Sequence, residues 1–367
     1  MADKTKIEWT DATWNPVTGC SLVSKGCRYC YAAALAASRL KNHPSRKGLA
    51  KRNAAGVAQF TGEVRFNEKW IDQPLRWRKP RRIFVCAHAD LFHENVPDEW
   101  IDKVFAVMAL CPQHTFQVLT KRPERMLAYL TTDRREYLIA AAQAVVPGPT
   151  PGIWPHLPLP NVWLGVSIED QPTADTRIPY LLKTPAAVRF VSAEPLLGPV
   201  DLRSLEGGTL WIGGNRGCGG KHHHIGRHGD VIHGVKHDCD PRFPHHHHDE
   251  LCGPGLDWVI VGGESGDHAR AMDPQWARAL RDQCSAAGVP FLFKQWGVWL
   301  PRSHAAHLGN EINDQLFGEF HEPDGEWIDC CLCSEGAADM PMFRVGKAAA
   351  GRVLDGVTHD GFPEVRA

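Results

Sequence analysis

Three cysteines fall within eleven residues near the start of the chain, in Gly19-Cys20-Ser-Leu-Val-Ser-Lys-Gly-Cys27-Arg-Tyr-Cys30-Tyr31, spaced C-x6-C-x2-C. Thiolates hold soft metals and iron–sulfur clusters. A helix-favouring run, Ala32–Leu40, follows directly, and its N-terminus can offset the negative charge of a bound cluster. Having three ligands rather than four is informative. A [4Fe–4S] cluster held by Cys20, Cys27 and Cys30 keeps one iron free of protein ligands. That iron can chelate the amino and carboxylate groups of S-adenosylmethionine, and electron transfer can then cleave the sulfonium to a carbon radical. Two blander readings compete: structural zinc with a distant fourth ligand, and thiols that bind nothing.

The elements that must position this loop can be read from hydrophobic periodicity. Short apolar runs at 83–87, 116–119, 162–166, 188–191, 258–261 and 290–293 read as strands. Helical stretches at 98–110, 123–129, 173–182 and 274–287 lie between several of them. Strands alternating with helices predict an α/β fold with a parallel sheet, and this many units predict a partial or full (βα) barrel. Each strand runs into polar residues, and barrel enzymes work at the C-terminal ends of their strands. Glu194, Glu264 and Lys294 are therefore the first candidates to act on a bound S-adenosylmethionine, with Asp90, Lys121 and Glu169 behind them. A carboxylate would face its amino group and a cation its carboxylate. The competing reading for each is a salt bridge across the barrel mouth, Lys294 with Glu194 or Glu264 above all.

Two segments interrupt the pattern. Residues 145–160 carry six prolines and read as an irregular connection. Residues 215–255 form a Cys/His-rich insert, with ten histidines between Cys218 and Cys252. Imidazole and thiolate both bind zinc, so Cys218, Cys239 and Cys252 are candidate Zn²⁺ ligands with His237 as a fourth. The alternative is a solvated low-complexity loop. Cys330, Cys331 and Cys333 read as a turn, and Cys86, Cys111 and Cys284 as core.

Lys and Arg number 41 against 42 Asp and Glu, so a polycationic tail protein is excluded. The charge is nonetheless segregated. No acid occurs from Gly19 to Gly62, a stretch holding eight Lys and Arg. Residues 76–82 add five cations and 121–125 add three. This predicts an anionic partner beside the cluster, DNA or RNA, with Trp9, Trp14, Tyr29, Tyr31, Trp70 and Trp77 available to stack on bases. The competing reading is solvated basic helices and core tryptophans. No apolar run approaches the ~18–20 residues a bilayer requires, and the first residues lack a signal-peptide core. The chain thus reads as cytoplasmic, with no membrane partner. Its 12 cysteines suit metal or redox chemistry more than disulfides.

The chain also resembles a known family. Cys27-Arg-Tyr29-Cys30 looks like the C-x-aromatic-C half of the radical S-adenosylmethionine signature, although the first spacing is six residues where three are usual. Five stretches resemble the phage-associated three-Cys-motif family, which is usually placed near radical S-adenosylmethionine enzymes of the spore photoproduct lyase type. They are Lys6-Ile-Glu-Trp-Thr-Asp-Ala-Thr-Trp-Asn-Pro-Val-Thr-Gly-Cys20, Phe190-Val-Ser-Ala-Glu-Pro-Leu-Leu197, Val259-Ile-Val-Gly-Gly-Glu-Ser-Gly266, Phe293-Lys-Gln-Trp-Gly297 and Gly346-Lys-Ala-Ala-Ala-Gly-Arg-Val-Leu-Asp355. The resemblance implies that Cys20, Cys27 and Cys30 hold the cluster, and Tyr29 between them is a further candidate to bind the cofactor. Gly262-Gly263-Glu264 follows a late strand and is not equated with that enzyme group's early Gly-Gly-Glu element. The resulting expectation is an enzyme that generates a 5′-deoxyadenosyl radical for hydrogen abstraction in nucleic-acid repair or modification. It would draw electrons from a donor such as a flavodoxin or ferredoxin, and a separate protein could complete the activity. The rival expectations are a non-catalytic zinc-containing nucleic-acid-binding protein and a cluster-bearing redox sensor. The expected layout is a cluster loop and basic helix over 1–62, the first part of the barrel over 63–214, the insert over 215–255, the last barrel strands over 256–300 and an extension over 301–367.

Overall fold

The structure, a computed structural model, describes residues 5–146, 157–203, 211–212, 223–225, 231–233, 254–301, 304 and 342–364. Its centre is a seven-stranded parallel sheet. Numbering only the strands of that sheet, these are β1 (Ala12–Trp14), β2 (Arg82–Val85), β3 (Thr115–Thr120), β4 (Val162–Ile168), β5 (Val188–Ala193), β6 (Trp258–Gly262) and β7 (Phe291–Gln295). Each pairs with its neighbour in sequence, in the order β1-β2-β3-β4-β5-β6-β7. The helices are α1 (Tyr31–Ala37), α2 (Asp98–Ala109), α3 (Pro123–Thr131), α4 (Arg135–Val145), α5 (Gln171–Lys183), α6 (Pro274–Ala286) and α7 (Lys347–Ala350).

Sequential parallel order requires each crossover to advance the chain by one strand in the same sense, which keeps the helices on one face. The side chains show this. Ile83, Val85, Val118, Val166, Val191, Val259 and Phe293 share one core with Phe105, Met126, Ile178 and Leu280 of the helices. The alternate residues Phe84, Trp163, Phe190, Trp258, Ile260 and Leu292 form a separate cluster with Trp9, which no helix enters. A sheet whose bare face is filled by its own aromatics must curl around them, and the result is a seven-stranded half-barrel. Both faces are dry, so the strands read as near-continuous apolar runs. Gly165 on β4 gives room: a Cβ there would stand 2.5 Å from the Phe190 ring.

The sheet ends at β1 and β7 without closing. A C-terminal segment covers the β7 edge, where Phe293 N–H donates to His359 O at 3.0 Å and Gly361 N–H to Phe291 O at 3.0 Å. Phe362 then packs on Trp258 of β6 at 5.0 Å and lies under the Arg82 guanidinium of β2 at 4.1 Å. The tail thus reaches from one limb of the half-barrel to the other and shields an edge that would otherwise be open to pairing.

Several elements were absent from the periodicity reading, among them β1, α4 and an antiparallel pair, Ala50–Arg52 with Ala58–Phe60, that carries Lys51 and Arg52 where a basic helix was expected. β1 has three residues, too few for an alternating pattern, and exists through its parallel register with β2, Ala12 opposite Ile83. α4 is Ala-rich and docks on the core through Leu138, Ala141 and Ala142. The Cys/His-rich segment leaves and rejoins the fold at adjacent points, since Leu256 N–H donates to Trp211 O at 2.8 Å. Within it, His223–Ile225 and Val231–His233 pair antiparallel. Cys218, Cys239, Cys252 and His237 lie outside the described residues, as do Cys330, Cys331 and Cys333. Among the described residues, no helix is long and apolar enough to cross a membrane.

Candidate functional site at the strand C-termini

The cysteine loop leaves the C-terminal end of β1. Gly19 makes the turn with φ +96°, a conformation that side chains disfavour, and a Cβ there would stand 2.1 Å from Glu63 O. Its N–H donates to His88 O, beyond the end of β2, at 3.1 Å. The chain then crosses the strand ends through a short 3₁₀ turn, Lys25–Cys27, and enters α1 with Cys30 as N-cap. All three thiols are free and half-buried. Burial pushes the Cys20 thiol up to about 12, and the charges of Asp90, Cys27 and Cys30 add to the effect, with Arg122 opposing it. Burial also raises Cys30, while the backbone N–H groups of Ala33 and Ala32 at the start of α1 and the Lys121 ammonium pull it back.

Every strand-end carboxylate singled out from the sequence holds a cation from this chain. After β2, Asp90 accepts from Arg122 Nη1 at 3.2 Å, Thr120 Oγ1 at 2.7 Å and Lys121 N–H at 3.0 Å. After β4, Glu169 is fully buried between Lys121, Arg177 at 3.0 Å and Ser24 of the cysteine loop at 2.8 Å. After β5, Glu194 pairs with Lys294 of β7 at 2.8 Å and accepts from Ser192 Oγ at 2.8 Å. After β6, Glu264 takes a two-point contact from Arg270, at 2.9 and 2.7 Å. The salt-bridge reading of Lys294 with Glu194 is thus the arrangement found, and Glu264 is partnered elsewhere.

This ring grips the cysteine loop. Arg122 donates to Cys20 Sγ at 3.7 Å and to Ser21 Oγ at 2.6 Å. Buried His93 meets the same Ser21 hydroxyl at 2.9 Å. Its Nδ1 accepts from Asn95 N–H at 3.0 Å, so in the neutral ring Nε2 carries the proton and donates. Gly26 packs on Glu169, where a Cβ would stand 2.5 Å from the carboxylate. Arg270 donates to Lys25 O at 3.1 Å and lies over the Tyr29 ring at 5.2 Å. Tyr29 stacks on His268 at 5.4 Å. Tyr31 donates to Ala87 O at 2.5 Å, and its pKa is raised by burial of the hydroxyl, then by Cys30 and Glu194. The loop after β1 is therefore tied to the ends of β2, β3, β4 and β6.

Sequence reasoning missed Arg270, Arg177, Ser21 and Ser24, and it placed Arg122 and His93 at strand ends without choosing them as site residues. Arg122 follows Lys121 and shares its strand-end signal, but its partners lie 28 to 102 residues away in the chain. The charge reading needs correction. The run 76–82 precedes β2 and so lies at the opposite end of the strands from the cysteines. Arg76 is held there by Asp72, Arg82 by Asp11, and Arg81 lies over Trp77. In the run 121–125, Lys121 and Arg122 hold the mouth, while Arg125 binds Asp98 and the carbonyls of His93 and Val96. Trp9, Trp14 and Trp77 are buried and cannot stack on bases. Cys86, Cys111 and Cys284 are buried, as expected of core thiols.

Among the described residues, no group of three or more His, Cys, Asp or Glu side chains stands in an arrangement that could hold a metal ion. One zinc needs all its sulfurs about 2.3 Å from one point. A four-iron cluster takes one thiolate per iron, so Cys20, Cys27 and Cys30 on one loop would hold three of its irons. Free, half-buried thiols with a guanidinium and amide donors at the sulfurs are a donor set that fits it.

A family model described as a protein of unknown function, DUF5131, matches residues 4–363. No curated protein matches the chain, and no solved structure does.

Proposed function

The chain belongs to the DUF5131 family, and from that premise we propose that it is a radical S-adenosylmethionine enzyme acting on nucleic acid in repair or modification. One observation carries the reading: a loop holding Cys20, Cys27 and Cys30 is bound across the C-terminal mouth of a parallel half-barrel, over a ring of buried carboxylates and cations. On this reading the half-barrel is of the radical S-adenosylmethionine type and carries a Cys/His-rich insert that binds Zn²⁺. A [4Fe–4S] cluster held by the three cysteines would supply the electron that cleaves S-adenosylmethionine to a 5′-deoxyadenosyl radical able to abstract hydrogen.

The chain's own residues have definite tasks. Glu194 and Lys294, 2.8 Å apart, offer a carboxylate for an ammonium and an ammonium for a carboxylate, the two charges of an amino-acid moiety. Glu264 with Arg270 provides a second such pair. Lys121 and Arg122 place positive charge beside Cys30 and Cys20, which favours the thiolate forms that any metal requires. An electron donor such as a flavodoxin or ferredoxin, and a further partner protein, belong to this proposal.

A second reading has its own support. Each mouth carboxylate is already matched by a cation of the chain, which suits a cluster-bearing redox protein that never cleaves S-adenosylmethionine. Such a protein would carry the cluster and release no 5′-deoxyadenosine.

Iron and sulfide content after anaerobic reconstitution tests the assignment. Wild-type protein is expected to bind about four irons. Cys27→Ala is expected to lose the iron and its visible absorbance while keeping its far-ultraviolet circular dichroism. Iron retained in Cys27→Ala would remove that ligand, and zinc in place of iron in the wild type would remove the radical-enzyme reading.

A further inference from the structure

The lobe that adjoins the cysteine loop carries a group of exposed cations. It consists of α1 and the hairpin pairing Ala50–Arg52 with Ala58–Phe60. Leu49, Val57, Ala58 and the α1 alanines Ala32, Ala33 and Ala36 are buried in it. It is fixed to the site, since α1 starts immediately after Cys30 and Gly62 N–H donates to Cys20 O at 3.0 Å.

Arg39, Lys41, Lys47, Lys51 and Arg52 are exposed on this lobe. None of them makes an ion pair among the described residues, and Arg52 only donates to Gly56 O at 2.5 Å within its own hairpin. The cations at the mouth differ, because each is held by a carboxylate. From 38 to 62 the exposed residues between the five cations are small or polar, such as Asn42, His43 and Asn53, and the exposed large hydrophobics nearest in the chain, Leu22, Val23 and Tyr31, lie on the cysteine loop and at the first residue of α1, outside this stretch.

That composition discriminates among anionic partners. A protein partner, such as an acidic electron donor, needs an apolar centre that water leaves on docking. A membrane-surface element needs an apolar face to bury. A phosphate backbone needs neither, and Lys and Arg on a polar surface suffice. We infer that the lobe 38–62 binds the phosphate backbone of nucleic acid and holds it beside the cysteine loop. This deepens the proposed function by assigning the surface that grips the substrate, and it rests on that reading for the chemistry at the mouth.

The test is fluorescence anisotropy of labelled duplex DNA across a salt series, with full-length protein. Lys47→Gln/Lys51→Gln/Arg52→Gln is expected to bind about tenfold more weakly or worse. Its slope of log affinity against log salt should flatten by about 3, near one unit per phosphate contact removed. Arg78→Gln/Lys79→Gln, exposed at the opposite end of the strands, is expected to stay within about twofold of wild type. Failure of the wild type to bind at low salt, an unchanged triple variant, or equal loss in both variants would overturn the inference. So would slower reduction of the triple variant by flavodoxin with DNA affinity intact, which would make the lobe a donor-docking surface. Iron content is read on the same samples. Salt-dependent binding without iron would defeat the cluster reading and leave this one standing, whereas iron without binding would do the reverse.

Discussion

Arg122 shows how much of the site depends on one side chain. Its guanidinium reaches Cys20 Sγ, Ser21 Oγ, Asp90 and Glu94 at once. Burial works against its charge, but Asp90, Glu94 and Cys20 together hold its pKa above the ordinary value. Glu94 is correspondingly held down at about 2: burial works against its carboxylate, but the hydrogen bonds from Arg122, its own backbone N–H and Ser21, with the Arg122 charge, together outweigh it. A cationic donor at a cluster ligand stabilises the more negative, reduced state and so raises the reduction potential. Arg122→Gln is expected to lower that potential, with about 59 mV marking each tenfold change in a one-electron equilibrium. Arg122→Lys keeps the charge but loses the fork, and should fall between the two. Spectroelectrochemistry of reconstituted protein reads this, and equal potentials in all three would deny Arg122 any influence on the cluster. The sequence placed Lys121 and Arg122 together at a strand end but gave no sign of Arg122's contact with Cys20. A guanidinium acquires this role only when the fold brings Cys20 to the end of β3.

At the scale of elements, two glycines separate scaffold from site. Gly165 faces the aromatic interior, and Gly26 faces the Glu169 carboxylate. Gly165→Ala forces a methyl into the Phe190 ring and is expected to cost about 1–3 kcal/mol, read as a lower denaturation midpoint. Gly26→Ala should lift the cysteine loop off Glu169 and reduce iron retention with little change in midpoint. The opposite pattern would mean that the loop belongs to the folding core. Six of the seven sheet strands were legible because runs buried on both faces, such as Val162–Ile168, announce themselves. β1 was not, because a three-residue edge strand has no period to read. The pairing of Glu194 with Lys294 was anticipated as one option of several. That of Glu264 with Arg270 was not, since charge partners are chosen by loop geometry rather than by spacing.

For the whole molecule, the strand order is the decisive feature. Sequential parallel strands put all seven C-terminal ends at one mouth, and the three-cysteine loop issues from the first of them. The periodic alternation of strand and helix foreshadowed that architecture. The covering of the β7 edge by residues 359–361 left no trace in the pattern, because backbone pairing of a tail needs no particular side chain. The segregation of basic residues was legible too, but its meaning changed once the fold placed residues 76–82 at the far end of the strands and the exposed cations of the lobe beside the cysteine loop. The most direct test of the central claim is electron paramagnetic resonance of anaerobically reconstituted, reduced protein with and without S-adenosylmethionine. The account predicts a [4Fe–4S]⁺ signal that S-adenosylmethionine perturbs, as expected if one iron has no protein ligand. A signal that S-adenosylmethionine does not change, or protein that takes up zinc and no iron, would contradict it.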